Sequence, residues 1–316
     1  LRIGLVDFTQ TTSRLLINSS RGRMMEIHEV EISHPDKILF SEDHFLKKDI
    51  AEYYCRIAPY ILPWIEGRPI TLKRYPDGIE HEGFFNKHVP DYFPDFIQRL
   101  QVPMETEGGL NMNMVGVNEA RDLVYLAGQN TIELHVALAK MQDVKKPDQI
   151  IFDLDPADND FEKVRAVALE LKDLLDFMEV SSFVKTSGSK GVHIHVPIKV
   201  CGSFKEIKII ARKLAEKLHE RCLDLTTLEQ RKKKRGRKVF IDYLRNDYAM
   251  TAVAPYSLRA LRHAPIATPI EWEELADKAL GPQSYHLKNI FRRLAKKQNS
   301  WKNFAQKSKD IRSFTL

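Results

Sequence analysis

The sequence predicts a mixed α/β (α+β) protein, and two observations carry that reading. Short apolar or alternating segments bounded by turn residues interleave with amphipathic stretches of helical period. No repeat or low-complexity block divides the 316 residues. A chain of this length suits one large domain or two modest ones, the soft prior being about 100 to 200 residues per domain. The pattern favours a flexible extension or linker over 1–25, one domain over 26–300 and a tail over 301–316. Within the domain we expect an N-terminal subregion to about 118, a central core over about 119–265 and C-terminal helices over about 271–300.

The chain starts polar and runs through Arg21-Gly-Arg23 to Met24-Met25, without the charged, apolar and small-residue layout of a signal peptide. Glu26 to Glu31 alternate and predict a short strand, followed by the Ser33-His34-Pro35-Asp36-Lys37 turn and a helix over Lys48 to Ile61. Ile70 to Arg74 reads as a strand ending in the turn Tyr75-Pro76-Asp77-Gly78. Residues 101–118 look extended, broken by Gly108-Gly109, and Glu119 to Ala139 carries Leu123, Leu126, Ala127 and Ile132 at the spacing of a buried helix. Gln149 to Leu154 is a short apolar strand closed by Pro156, and Phe161 to Met178 is an amphipathic helix; together they form a β-turn-α unit. Ser182 to Lys185 and Val192 to Val196 flank a Gly-rich turn as a hairpin-like pair, and Phe204 to Leu218 is a further helix. Lys238 to Leu244 and Tyr248 to Ala254 read as strands, and the chain from Glu271 on reads as helical with a basic surplus.

Composition narrows the function classes. With 43% hydrophobic and 29% charged residues, the chain is typical of soluble globular proteins, and no apolar run approaches the roughly 18 residues of a membrane span. Cys55, Cys201 and Cys222 lie far apart without CxxC spacing, which argues against a disulfide framework or a cysteine zinc site and suits a reducing, cytoplasmic setting. A formal charge of +6 and a pI near 9.0 are compatible with a polyanionic partner, since cations gain by releasing phosphate counterions. Net charge alone does not decide it.

The strongest local signal is Ile150-Ile151-Phe152-Asp153-Leu154-Asp155-Pro156. Residues i and i+2 of a strand point to one face about 6 to 7 Å apart, and two carboxylates so placed repel unless a cation lies between them. Such oxygen pairs suit Mg²⁺ or Mn²⁺; the plain alternative is a pair of solvated turn aspartates or a cap for the helix from Phe161. Asp242 recurs in a similar frame, Val239-Phe240-Ile241-Asp242-Tyr243, and completes the number of carboxylates that a two-metal phosphoryl-transfer site needs. Asp158 and Asp247 lie in polar turns and read as solvated.

Lys185-Thr186-Ser187-Gly188-Ser189-Lys190-Gly191-Val192-His193-Ile194-His195 brings together a small-residue turn, Lys190 and two alternating histidines. Exposed amides and a lysine of this kind can cradle phosphate; a ligand-free tight hairpin is the competing reading. His193 and His195 share a strand face, as metal ligands or as core histidines satisfied by hydrogen bonds. Phe84-Phe85 are adjacent aromatics that cannot both face one core from a strand, so at least one is exposed, and it can stack on bases beside Lys87 and His88 or plug a local core. Seven cations crowd the eight residues Arg231 to Lys238, a solvated or targeting run by type and a phosphate-tracking loop by its place before Asp242.

In this order the motifs resemble the archaeo-eukaryotic primase superfamily, most closely the polymerase domain of bacterial ligase D and its stand-alone end-joining relatives. The resemblance rests on Asp153-Leu154-Asp155, then Ser187-Gly188-Ser189-Lys190-Gly191-Val192-His193, then Asp242, and extends over roughly residues 30–290. It implies a primase-like catalytic core with a mixed, largely antiparallel sheet flanked by helices. It also implies a template-directed polymerase that extends or fills broken DNA ends, prefers ribonucleoside triphosphates and uses two Mn²⁺ or Mg²⁺ ions. By the same resemblance Asp153, Asp155 and Asp242 are the catalytic metal ligands. The triphosphate contacts fall on Ser187, Gly188, Lys190 and His193, with Lys73, His135 and Arg259 in the same pocket. Phe84 and Phe85 match the base-stacking pair, and Lys37 and Lys47 the grip on a downstream 5′-phosphate. The implied partners are gapped or broken DNA bearing that phosphate, a DNA ligase and an end-binding protein, in a nucleoid-associated setting. The basic run lengthens the loop before Asp242, so its role is not carried over, and no Lys-x-Asp-Gly ligase motif is present. The rival readings are a replicative-type primase, a metal-dependent nuclease or phosphoesterase using His193 and His195, and a non-catalytic end-binding module.

Overall fold

The structure, a computed structural model, describes residues 16–19, 22–105, 109–297 and 300–314. Strands β1 (Leu16–Ser19), β2 (Gly22–Ile27) and β3 (Val30–Ser33) pair antiparallel in that order. The single strand expected from Glu26 to Glu31 is instead a hairpin, because His28 and Glu29 take φ of 50° and 61°, the left-handed pair that a tight two-residue turn requires. Neither residue is a glycine or asparagine, so the turn left no mark in the sequence. The extension expected over 1–25 is corrected where β1 and β2 pair; residues 1–15 and 20–21 lie outside the described residues.

A small ribbon of β4 (Ile38–Phe40) and β5 (Phe45–Leu46) leads into α1 (Lys47–Ile65). Ile50, Tyr53, Tyr54, Ile57 and Ile61 recur at helical spacing along α1 and are all buried. The Tyr53 and Tyr54 hydroxyls each donate a 2.6 Å hydrogen bond, to the carbonyls of Tyr256 and Ile132, so the buried phenols are satisfied. Then come β6 (Ile70–Arg74), β7 (Phe84–Asn86), β8 (Gln98–Pro103), β9 (Asn111–Gly116), α2 (Ala120–Gly128) and β10 (Thr131–Ala137). The helix expected over Glu119 to Ala139 is therefore corrected: it stops at Gly128, and Asn130, at φ 62°, reverses the chain while its N–H donates to the Ala127 carbonyl at 2.9 Å. Ile132 fell on the helical count by coincidence.

The second half runs β11 (Gln149–Pro156), α3 (Phe161–Phe177), β12 (Phe183–Thr186), β13 (Val192–Pro197), α4 (Phe204–Arg221), β14 (Thr226–Thr227), β15 (Val239–Asp242), β16 (Thr251–Val253), β17 (Pro269–Ile270), α5 (Trp272–Ala276) and α6 (Ile290–Lys296). Among the described residues beyond Glu271 only α5 and α6 are α-helical, with turns between them where continuous helix was expected. Two sheets dominate, one in the order β16-β10-β6-β9-β8 with β7 added to β6, the other β14-β15-β11-β13-β12-β17. All strand pairings except β14 with β15 are antiparallel, so the sheets are mixed and largely antiparallel, as the resemblance implied. Helices α1 and α2 share one apolar cluster with the first sheet, and α3 and α4 share another with the second.

This layering positions the site through the strand period of two. Ile150, Phe152 and Leu154 of β11 enter the helix-covered cluster, which turns Asp153 and Asp155 to the opposite face. No described helix is long and apolar enough to cross a membrane.

The tail expected over 301–316 is corrected as far as Phe314. Trp301 is 2% exposed, its indole N–H donates to the Val184 carbonyl at 2.9 Å, and Ile311 and Phe314 join the second cluster; residues 315–316 lie outside the described residues. Removing an indole so buried leaves a cavity and an unpaired carbonyl. Trp301→Ala is expected to lower the unfolding free energy by about 3 to 5 kcal/mol in urea titration, whereas a midpoint equal to the parent's would show that this segment is not docked.

Candidate active site

Three carboxylates come from adjacent strands. β11 pairs with β15 so that Asp153 faces Asp242, and with β13 so that Asp153 faces His193; Asp155 follows on the same face. The turn before β13 passes so close to β11 that a Cβ on Gly191 would lie 1.8 Å from the Leu154 carbonyl oxygen, and only glycine permits the approach. The capping alternative for the aspartates fails, since α3 is capped by Asp160, whose side chain accepts the Glu162 N–H at 3.1 Å. Asp158 and Asp247 stay in their turns, paired with Lys163 and Lys208.

Asp153 is 7% exposed, and among the described residues its Oδ1 has no hydrogen-bond partner. His193 Nε2 stands 3.5 Å from that oxygen. Burial, reinforced by the charge of Asp155, pushes the Asp153 carboxyl up to about 8, and burial raises Asp155 against the opposing pull of Arg259 and Arg245. Two basic side chains that the motif reading left unassigned stand beside these carboxylates. Arg245 Nε lies 3.4 Å from Asp242 Oδ2 and 3.9 Å from Asp153 Oδ2. Lys185, opposite His193 on β12, is fully buried, and its Nζ has no hydrogen-bond partner among the described residues; burial, then the charge of Arg259, holds it well below the usual lysine range.

The first sheet supplies the facing wall. Glu133 and His135 come from β10, Lys73 from β6 and Arg259 from the loop after β16. Glu133 gathers them: its Oε2 lies 3.0 Å from His135 Nε2 and 3.3 Å from Arg259 Nε, its Oε1 lies 3.9 Å from Lys73 Nζ, and that oxygen accepts the Ala260 N–H at 3.1 Å. Burial opposes the Glu133 charge, but these contacts win and hold the carboxyl at about 2. The resemblance extends through Glu133-Leu134-His135-Val136, but Glu133 was given no role because its strand was read as helix. Lys73, His135 and Arg259 share one cavity of about 430 Å³ with Asp153, Asp155, Ser187 and His193.

The small-residue turn is braced internally. Ser187 Oγ accepts the N–H groups of Ser189 and Gly191, both at 3.1 Å, and the Ser187 carbonyl accepts from Arg259 Nη1 at 2.6 Å. Gly188, at φ 66°, leaves no room for a Cβ, which would sit 2.8 Å from Arg259 Cγ and 2.9 Å from the Ile266 carbonyl carbon. Lys190 stands exposed and is not part of the cavity wall. Phe84 and Phe85 are both exposed, at 48% and 57%, on opposite faces of β7. Phe85 lines the cavity with its ring edge-on to His135 at 5.4 Å, whereas Phe84 lies under Arg74.

The remaining expected residues lie elsewhere. Lys37 and Lys47 line a separate recess together with Ser33, Asp36 and Asn130. Lys47 Nζ donates to the Ser33 carbonyl at 2.8 Å, and burial, aided by the repulsion of Lys37 and Arg74, lowers its pKa to about 8. His195 does not join His193 as a ligand pair: its ring packs on Trp301 and hydrogen-bonds Gln149 in a different cavity. Among the described residues no three His, Cys, Asp or Glu side chains are gathered tightly enough to hold an ion.

The raised Asp153 carboxyl fixes the sign of a pH effect. Its folded pKa exceeds the ordinary 3.8, so the folded state holds the extra proton between the two values and stability falls as pH rises toward about 8. Without divalent ions, the parent is expected to lose about 1 to 3 kcal/mol in urea unfolding between pH 5.5 and 8, beyond any loss in Asp153→Asn. Parallel pH profiles for the two proteins would contradict the assignment.

Residues 46–301 match the family model described as LigD, primase-polymerase domain. The multifunctional non-homologous end joining protein LigD of Mycolicibacterium smegmatis is 33% identical over 268 residues, covering 84% of this chain and 34% of that protein. The bifunctional non-homologous end joining protein LigD of Bacillus subtilis is 29% identical over 308 residues, covering 96% of this chain and 48% of that protein. The chain thus spans less than half the length of these two relatives. In three dimensions it is similar to the polymerase domain of Mycobacterium tuberculosis ligase D, solved in complex with DNA, with a TM-score of 0.80 and 28% identity over 88% of this chain and 99% of that one. The chain belongs to the LigD primase-polymerase domain family.

Proposed function

We propose that the chain is a template-directed nucleotidyltransferase that adds nucleotides, with ribonucleotides preferred, to DNA 3′ ends and fills gaps at double-strand breaks during non-homologous end joining. The observation that carries this reading is the single cavity in which carboxylates of the second sheet face Lys73 and His135 of the first and Arg259 of the loop after β16. That pairing of signs suits a polyanionic triphosphate and the ions that accompany it.

Two divalent ions, Mg²⁺ or Mn²⁺, suit the donor set, hard carboxylate oxygens with Asp153 Oδ1 a buried acceptor without a partner among the described residues, and the three side chains would have to draw closer together than they stand to hold them. Asp153, Asp155 and Asp242 would hold them, and when bound they neutralise the triphosphate and lower the pKa of the attacking 3′-hydroxyl. Arg245 serves as counter-charge to Asp153 and Asp242. Lys73, His135 and Arg259, with Ser187, Gly188 and His193, orient the phosphates; Lys190 joins from the rim. Phe85 offers a stacking face for a base at the cavity mouth, with Phe84 on the outer side of the strand. Lys37 and Lys47 hold a downstream 5′-phosphate in their own recess. A cytoplasmic, nucleoid-associated setting and work beside a DNA ligase and an end-binding protein complete the proposal.

Asp155→Ala is expected to reduce nucleotide incorporation on a gapped duplex roughly 100-fold or more, with circular dichroism and DNA binding retained; a parent-like rate would refute the role. A strand shortened in the absence of triphosphate would favour the nuclease reading instead. On the same gapped duplex, the parent should favour a 5′-phosphorylated over a 5′-hydroxyl downstream strand. Lys37→Ala should erase that preference, and an undiminished preference would remove Lys37 from the phosphate site.

A further inference from the structure

Behind the active site lies a second cavity of about 640 Å³, and β16 separates the two, with Ala252 and Val253 lining both. Its walls combine three features that the catalytic reading leaves unused. Trp64, Trp301 and Phe304 form an aromatic side, with Trp301 and Phe304 stacked at 5.6 Å and Trp64 edge-on to Trp301 at 5.0 Å. His195, 3% exposed, also lines the cavity. Its Nδ1 is 2.8 Å from Gln149 Oε1, a carbonyl oxygen that can only accept, so Nδ1 carries the proton. Burial, followed by the charges of Lys185 and Arg68, keeps the ring from taking a second proton. Nε2 is therefore a bare lone pair, and it has no hydrogen-bond partner among the described residues. Lys140 and Lys199 line the cavity as exposed cations, neither of them ion-paired among the described residues. Arg68 adds a buried Nε–H without a partner, although its outer nitrogen holds Asp148.

A buried acceptor wants an N–H donor, indole and phenyl walls want a planar ring, and exposed lysines want an anion. The volume suits a ligand of nucleotide size. We propose that this cavity is a binding site for a purine mononucleotide, with the base against Trp301 and Trp64, a base N–H donated to His195 Nε2 and the phosphate at Lys140 and Lys199. This site is distinct from the triphosphate pocket and needs no divalent ion, so it stands or falls independently of the catalytic proposal.

The test is titration of adenosine 5′-monophosphate into the metal-free protein, read by tryptophan fluorescence, since two of the chain's three tryptophans line this cavity. A saturable change is expected, weakened at least tenfold in His195→Phe and in the surface double variant Lys140→Glu/Lys199→Glu, and retained in Arg259→Ala. Ribose 5-phosphate, which lacks the base, should bind at least tenfold more weakly. The proposal is overturned if the parent gives no saturable change, if Arg259→Ala abolishes it, which would place the nucleotide in the catalytic cavity, or if ribose 5-phosphate binds as well. Should His195→Phe fail to fold, the double variant decides, because both lysines are exposed and unchanged affinity in it removes the phosphate site.

Discussion

β11 is hydrogen-bonded along both edges, and this constraint places the three aspartates of the candidate active site. On one side β13 sets His193 opposite Asp153; on the other β15 sets Asp242 opposite the same residue. A slip of one residue in either pairing would turn the carboxylates into the apolar cluster beneath, so the burial of Ile150, Phe152 and Leu154 also enforces the chemistry. Beyond Asp242 the ladder is continued by a side chain. Asn246, fully buried, accepts the Ile151 N–H at 2.8 Å and donates to the Ile151 carbonyl at 2.7 Å, which anchors the turn that carries Arg245 against the aspartates.

The two sheets divide the electrostatic work. The second concentrates negative charge under burial, and the result is a raised carboxyl at Asp153; the first concentrates positive charge around Glu133, and the result is a depressed one. The difference follows from the partners. Glu133 meets three basic side chains and a backbone N–H, while Asp153 has carboxylates for neighbours and, among the described residues, only Arg245 at ion-pair distance besides the neutral His193. A site with one satisfied and one frustrated carboxylate cluster is arranged to take up cations at the second without disturbing the first.

The legible parts of this arrangement were those carried by local pattern. The strand at Ile70 to Arg74, the β-turn-α unit around Asp153-Leu154-Asp155 and the glycine turn were all readable, because apolar period and turn chemistry are local properties. Glu133 and Arg245 were not. The first sits in a segment whose apolar spacing fits a helix until Asn130 breaks it, and the second owes its role to a long-range bond from the next residue, Asn246. The docked segment from Trp301 to Phe314 was equally silent, since it has no periodicity of its own and is held by an indole hydrogen bond and scattered apolar contacts. Lys73, His135 and Arg259, distant in sequence but lining one cavity, were grouped by family resemblance alone.

The basic run at Arg231 to Lys238 is two structures in one. Its second half is bound to the body: Arg235 stacks on Phe240 at 3.7 Å and donates to the carbonyls of Glu229 and Gln230, Arg237 pairs with Asp158 at 3.1 Å, and Lys238 donates to the Leu223 carbonyl. Its first half, Arg231 to Lys234, is exposed, and among the described residues these four cations have no ion pair. Phe240, the residue under Arg235, is the β15 partner of Asp155. The anchored half therefore fixes the free half at one edge of the acidic strand pair, whereas Lys73 and Arg259 already have Glu133 within ion-pair reach. Counterion release rewards cations that are exposed and unpaired, so this run is one source of long-range attraction for a polyanion, whereas Lys73 and Arg259 in the cavity are already partnered.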